Sequence, residues 1–253
     1  MIIEVRDLRK SFGPHRVLDG VSFSIAKGQA VAIIGISGGG KSVLLKHLIG
    51  LLTPDAGEIH INGQNIAGMN ERRLLQIRRS FGMLFQGAAL FDSLTVEQNV
   101  GFLLQREGRT AAAEISRRVA EVLELVGLAG TQKKMPAELS GGMRKRVGLA
   151  RAVVYRPEIV LYDEPTTGLD PIASDSIDQL IRRVVDAFNV TSIAVTHDMR
   201  SVRRISRRIL MLHEGRIYAD QTPEEIFRST DPVIYRFVNG IADPLEALSP
   251  ISP

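Results

Sequence analysis

Residues 35–42 read GISGGGKS, directly after the apolar run VAII at 31–34 and directly before the helical pattern VLLKHLIGLL at 43–52. The stretch fits G-x-x-x-x-G-K-[ST] in full, in the strand-to-helix setting that a phosphate-binding loop requires. Glycines let successive backbone N–H groups converge on phosphate oxygens with no Cβ in the way. The N-terminus of the following helix adds partial positive charge. Lys41 is then the group that holds the β- and γ-phosphates, and the Ser42 hydroxyl is a ligand for Mg²⁺. The candidate nucleotide-binding residues here are Gly35, Ser37, Gly38, Gly39, Gly40, Lys41, Ser42 and Val43. A flexible glycine linker is the bland alternative, but it explains neither the strand before nor the helix after. The loop alone indicates a nucleoside triphosphate and does not separate kinases, GTPases and ATPases.

Working outward, short β-rich runs alternate with longer helical patterns. IIEVRDL (2–8), QAVAIIG (29–35), GEIHIN (57–62), EIVLYDE (158–164), VTSIAVTH (190–197) and RILMLHEG (208–215) read as strands. VAII, IVLY and SIAV are apolar throughout, as strands buried on both faces of a parallel sheet are. Within 111–126, Ile115, Val119, Val122, Leu123 and Val126 recur at helical spacing, and Gly127 ends the helix. Strands alternating with helices define an α/β fold. The stretch from about 87 to 150 has helical periodicity and no convincing strand, so it reads as a helical insertion in the α/β core.

The chain has 253 residues and is 44% hydrophobic, enough for a sizeable core. Lys and Arg number 32 against 28 Asp and Glu, a mild basic excess that suits an anionic ligand or an anionic membrane face. Cysteine is absent, which excludes disulfides and Cys metal sites and fits a reducing compartment. MIIEVRDLRK at the start does not read as a signal peptide, and no window is apolar enough for a transmembrane helix. If the chain works at a membrane, another chain must cross it.

IVLYDE (159–164) ends a buried strand in two adjacent carboxylates, which alternation sends in different directions. Asp163 is the candidate metal partner, through a water, and Glu164 the candidate general base for attack on the γ-phosphate. Beside a phosphate loop this reading displaces that of two solvated acids. His197 in AVTHD ends another apolar strand, where open α/β sheets bind ligands, and can hydrogen-bond the γ-phosphate. Gln86 in MLFQG can contact Mg²⁺ or the attacking water and so tie the helical insertion to the nucleotide.

LSGGM (139–143), followed by RKRVGLARA, resembles the signature of ABC-transporter ATPases. The ordered set Phe12, GISGGGKS, Gln86, LSGGM, IVLYDE, GLD (168–170) and His197 resembles that family from about residue 1 to 230. The resemblance implies a P-loop NTPase core with an ABC-type helical subdomain at about 87–150 and an N-terminal antiparallel β part. Together these make one ATPase domain over 1–240, with a C-terminal tail at 241–253. It implies a head-to-tail homodimer in which each ATP lies between the phosphate loop of one copy and the signature of the other. Ser140, Gly141 and Gly142 would then bind the γ-phosphate held by the partner copy. Phe12 would stack on adenine, Glu164 would polarise the attacking water, His197 would act as the switch, and Asp170 would communicate across the dimer. Ser140 also suits the role of a plain helix cap.

Two positions depart from the common family pattern: Met143 replaces the usual glutamine, and the loop before Asp170 reads TGLD rather than SALD. FGMLFQGAALFDSLTVEQNV (81–100), ELSGGMRKRVGLARA (138–152) and YRFVNG (235–240) resemble the ATPases of MCE-type lipid transporters, the Mla system among them. That resemblance implies a transmembrane permease dimer, an MCE-domain substrate-binding protein, transport of phospholipids or related lipids, and a peripheral place on the cytoplasmic face of the inner membrane. Residues around FDSLTVEQN would dock the permease's coupling helix.

The rivals are an ABC importer for amino acids or other polar solutes, a soluble ABC protein acting on ribosomes or DNA, and a nucleotide-gated binding module. Met143 and GAALFDSLT argue against the first, the single motif set and the lack of long heptads against the second, and Glu164 against the third. The basic stretches RRLLQIRR (72–79), RKR (144–146) and RSVRRISRR (200–208) read as solvated helix faces, or as contacts to lipid headgroups or the permease. With 5% aromatic residues and no aromatic-interleaved basic run, nucleic acid is not expected as a partner.

Overall fold

VAII lies within β3 (Ala30–Ile34), and its side chains divide by parity between two apolar layers. Val31 and Ile33 face one core, while Ala32 and Ile34 face another. β7 (Ile159–Asp163) behaves likewise: Ile159 and Leu161 point to the first layer, Val160 and Tyr162 to a third cluster. A strand covered on both faces has no polar face to show, which is why these runs are continuously apolar. Each buried Val, Ile or Leu among them contributes about 1.5–3 kcal/mol.

The computed structural model of the protein describes residues 1–242. Beyond Ala242 the expected tail lies outside the described residues. β3 and β7 belong to a six-stranded sheet with β6 (Phe81–Leu84), β8 (Thr191–Val195), β9 (Arg208–His213) and β10 (Arg216–Gln221), in the order β10-β9-β3-β8-β7-β6. The strands are parallel except β10, which returns antiparallel to β9. A second, four-stranded antiparallel sheet is built from β1 (Ile3–Phe12), β2 (His15–Ile25), β4 (Ala56–Ile61) and β5 (Gln64–Asn65), in the order β2-β1-β4-β5. Helix α1 (Lys41–Leu48) packs with both sheets in one core, through Leu44, Leu45 and Leu48.

After α2 (Glu71–Arg78) and β6, the chain forms α3 (Val96–Glu107), α4 (Ala112–Leu125), a short 3-10 turn and α5 (Gly141–Val153). These helices and α6 (Pro171–Phe188) make a core of their own against Val160 and Tyr162. On α4 the buried side chains are Ile115, Val119, Val122 and Leu123, and Gly127 follows the helix at φ +69°. The remaining layer consists of α7 (Met199–Ile205), α8 (Pro223–Arg228) and α9 (Pro232–Asn239).

Four strands escape the sequence reading, the two-residue β5 among them. β2 carries register shifts against β1, which break its alternation. β6 has only four residues, and β10 is a half-exposed edge strand with a mixed pattern.

Candidate nucleotide site

Parallel strands end on the same side of a sheet, and this order gathers the motifs there. The phosphate loop follows β3, His197 lies two residues past its neighbour β8, Glu164 follows β7, and Gln86 lies two residues past β6.

The loop's form rests on glycine at two positions. A Cβ on Gly35, at φ +152°, would come within 2.3 Å of the Leu212 carbonyl oxygen on β9. Gly40 stands at φ +94° before α1, and a Cβ there would crowd Val17 and Leu18 at 3.0–3.1 Å. No side chain caps α1, so its first-turn N–H groups keep their donor capacity. Helices α5, α6 and α7, by contrast, are capped by Ser140, Asp170 and Asp198. Uncapped donors and a cradle that a Cβ would fill fit a bound phosphate. Lys41 is buried, and its ammonium donates to the carbonyls of Gly35 (2.9 Å) and Ile36 (2.8 Å). Burial pulls its pKa below the usual lysine range, against the opposing charges of Glu164 and Asp163.

Period two along β7 puts Asp163 on the same face as Ile159 and Leu161, which is the face of α1. The Ser42 hydroxyl accordingly donates to Asp163 Oδ1 at 3.4 Å. Burial, then the neighbouring Glu164, raises the Asp163 carboxyl, while Ser42, Lys46 and Lys41 oppose. No cluster of three His, Cys, Asp or Glu among the described residues could hold a metal. A Ser hydroxyl beside one carboxylate fits Mg²⁺, which binds through few protein ligands plus phosphate oxygens and water.

Glu164 leaves the strand, at φ +47°. This turn, rather than strand alternation, aims it away from Asp163. Its carboxylate meets His197 Nδ1 at 3.0 Å and accepts from Thr167 Oγ1 at 3.1 Å. The pairing of His197 with Glu164 was not legible in the sequence.

Lys145, expected with RKR (144–146) on a solvated face or against headgroups or the permease, is instead a buried residue that the motifs did not mark. It is 5% exposed on α5, and its ammonium donates to the backbone carbonyls of Gln86 and, at 3.2 Å, of Glu164. One buried cation thus ties the signature helix to both the Gln86 loop and the acidic turn. Its pKa is lowered by burial, against Glu164 and Asp163. Position i+5 from Ser140 on an otherwise apolar helix face was the available signal. Arg151 adds a second tie, donating to the carbonyls of Ala89 and Ala88, both at 2.6 Å.

Other expected residues stand apart. Ser140 is exposed and accepts from Met143 N at 3.3 Å as the α5 cap. Among the described residues no hydrogen bond joins Ser140, Gly141 or Gly142 to residues 35–43. Asp170 caps α6, accepting from Ile172 N and Ala173 N at 2.9 Å each. Phe12, at the tip of the β1–β2 hairpin, is 48% exposed, with the Lys10 ammonium 5.6 Å from its ring centroid.

A phosphate cradle, a buried lysine and a serine–carboxylate pair at the ends of parallel strands define a P-loop nucleoside triphosphatase. The family model described as "ABC transporter" matches residues 18–167, and the chain belongs to this family, as the ATP-hydrolysing subunit of an ABC transporter. It is 44% identical to Protein TRIGALACTOSYLDIACYLGLYCEROL 3, chloroplastic, of Arabidopsis thaliana, over 96% of this chain and 75% of that protein. It is 38% identical to the intermembrane phospholipid transport system ATP-binding protein MlaF of Haemophilus influenzae, over 96% of this chain and 92% of that protein. The methionine import ATP-binding protein MetN of Brucella abortus is 39% identical over 98% of this chain and 67% of its own length. Among solved structures, the dimeric post-hydrolysis state of the ATP-binding cassette MJ0796 with ADP and Pi is similar at TM-score 0.79 and 31% identity, covering 87% of this chain and 98% of that one.

Proposed function

We propose that this ATPase powers the movement of phospholipids or related lipids through a separate permease of the MCE type, on the cytoplasmic face of an inner membrane. The observation that carries this reading is the pair of segments 81–100 and 138–152, together with similarity to MlaF along nearly all of MlaF's length. The second reading, an importer of amino acids or other polar solutes, rests on the similarity to MetN, a methionine import ATP-binding protein by name. No helix among the described residues is long and apolar enough to cross a membrane.

Two copies close head to tail on ATP. Lys41 and the N–H groups of residues 35–43 hold the phosphates, and Ser140, Gly141 and Gly142 of the other copy complete the γ-phosphate contacts. Phe12 stacks on adenine. Ser42, Gln86 and, through a water, Asp163 would hold Mg²⁺, which supplies charge neutralisation on the phosphates. Glu164 takes the proton of the attacking water, with His197 and Thr167 setting its orientation and Asp170 at the copy-to-copy contact.

The helical subdomain at about 87–150, part of a single ATPase domain spanning 1–240, carries the motion outward. Here Asn99, fully buried, pins the loop before α3 by bonding Phe91 N (2.8 Å) and the carbonyls of Phe91, Leu94 and Thr95 (2.9–3.1 Å). Phe91 is exposed on that loop, and Phe85 is exposed just before Gln86, apolar side chains suited to contact with a coupling helix of the permease.

Purification of the chain from its native membranes in mild detergent, with mass spectrometry of proteins and lipids, tests the reading. A polytopic permease with an MCE-domain protein and enriched phospholipid supports it. A permease with a soluble-solute binding protein overturns the lipid substrate, and the absence of any membrane protein overturns transport.

A further inference from the structure

Away from the nucleotide site, positive charge collects on α7 and its neighbours. Two adjoining recesses, about 360 and 380 Å³ in volume, share Arg203 and Arg207 in their walls. Arg182 of α6, Arg200 and Arg204 line one; Arg228 of α8 lines the other, with Glu224 as its one carboxylate. Two of these cations are already engaged. Arg204 pairs with Asp175 at 2.9 Å and with the buried Asp178 at 3.5 Å. Arg203 sits over Phe227, its guanidinium carbon 3.9 Å from the ring centroid, which fixes it at the junction of the two recesses. Arg182, Arg200, Arg207 and Arg228 have no side-chain hydrogen bond or ion pair with any described residue.

Like charges gathered around one concavity repel, and folding gains nothing from placing them there. With 32 basic against 28 acidic residues, the chain has ample acid to neutralise such a cluster but supplies this one only sparingly. The guanidinium fork matches phosphate oxygens two at a time and loses less hydration than an ammonium does. A two-part recess with Arg203 and Arg207 at its waist suits a compact anion carrying one or two phosphates. We propose that Arg200, Arg203 and Arg207, flanked by Arg182 and Arg228, bind a phosphate-bearing anion at a site separate from the phosphate loop. The phosphate can come from a lipid headgroup or from a soluble phosphate. Either would hold α7, whose cap Asp198 directly follows His197.

The test uses the full chain carrying Lys41→Ala, so that the phosphate loop does not compete. Inorganic pyrophosphate is titrated by calorimetry. In a parallel arm the protein is floated with vesicles of phosphatidylcholine alone or with added phosphatidylglycerol. Addition of Arg200→Ala and Arg207→Ala is expected to weaken binding about tenfold or more. The pair Arg72→Ala and Arg73→Ala on α2, which removes equal charge elsewhere, is expected to leave it within about twofold. Pyrophosphate binding lost only in the first pair assigns a soluble phosphate; vesicle binding lost only in that pair assigns a headgroup. Absence of binding in both arms, or equal loss with both pairs, overturns the proposal.

Discussion

Lys145→Met removes one ammonium that donates to two backbone carbonyls, leaving that of Gln86 without this donor and that of Glu164 with only Thr167 N at 3.3 Å, while preserving the side chain's length. A hydrogen bond from a charged donor contributes about 1.5–3 kcal/mol, and a carbonyl left buried without a donor costs about 1–3 kcal/mol. Against this, the variant no longer buries an ammonium whose pKa is depressed by that burial. The net expected loss of stability is about 1–3 kcal/mol. The effect on chemistry is larger than that implies, because Glu164 occupies a left-handed backbone conformation that costs a non-glycine residue about 1–2 kcal/mol. With the Lys145 donor gone, the turn is held only by Thr167 N on the Glu164 carbonyl and by Glu164 N on the Val195 carbonyl, so it relaxes and the carboxylate shifts. A displacement near 1 Å costs up to about 100-fold in rate. Steady-state ATPase assays should therefore show kcat down by about 10- to 100-fold, with KM for ATP nearly unchanged, since the phosphate loop is untouched. Lys145→Arg, which keeps a donor, should recover part of kcat. Val147→Ala, at a fully buried position on the same helix, controls for destabilisation alone. The reasoning is refuted if Lys145→Met keeps kcat within about twofold of wild type, or if Val147→Ala loses as much activity at equal stability.

Further outcomes are open to measurement. Glu164→Gln should retain ATP binding and favour a closed dimer while hydrolysis falls by orders of magnitude; near-wild-type turnover would remove Glu164 from the role of base. Lys41→Ala should weaken ATP binding itself, and unchanged nucleotide affinity in a filter-binding assay would contradict the phosphate-loop assignment. Gly35→Ala should destabilise the fold by about 2 kcal/mol or more, because the Leu212 carbonyl at 2.3 Å is backbone and cannot swing away; urea unfolding at wild-type midpoint would show otherwise. Asp178 is buried and its pKa is pushed up to about 6, above its unfolded value, so the native state binds more protons between those values. Its ionisation therefore costs stability as pH rises through about 6, and Asp178→Asn should gain up to about 3 kcal/mol on wild type between pH 4 and pH 7. A pH-independent difference between the two would exclude this.

Much of the fold was legible because its informative segments are local. VAII, IVLY and SIAV declare two-sided burial by composition alone, and Ile115, Val119, Val122 and Leu123 declare a helix face by spacing. β2 was not legible, since bulges against β1 interrupt its alternation, and β10 was not, since an edge strand needs only one buried face. In the nucleotide site, Lys41, Ser42 and Asp163 stood out by motif, but Lys145 did not. A lysine on a helix announces nothing until the helix is packed against two carbonyls.

The amino-acid sequence by itself determined the phosphate loop, the acidic strand end and the signature, because each is a short run whose backbone geometry follows from neighbouring residues. Tertiary structure alone decided that β3, β8, β7 and β6 lie so that their ends converge, that His197 meets Glu164, that Lys145 bridges Gln86 and Glu164, and that arginines from α6, α7 and α8 line two adjoining recesses. The reason is physical: strand order and helix docking are set by burial summed over residues distant in the chain, and no local window of sequence carries that sum.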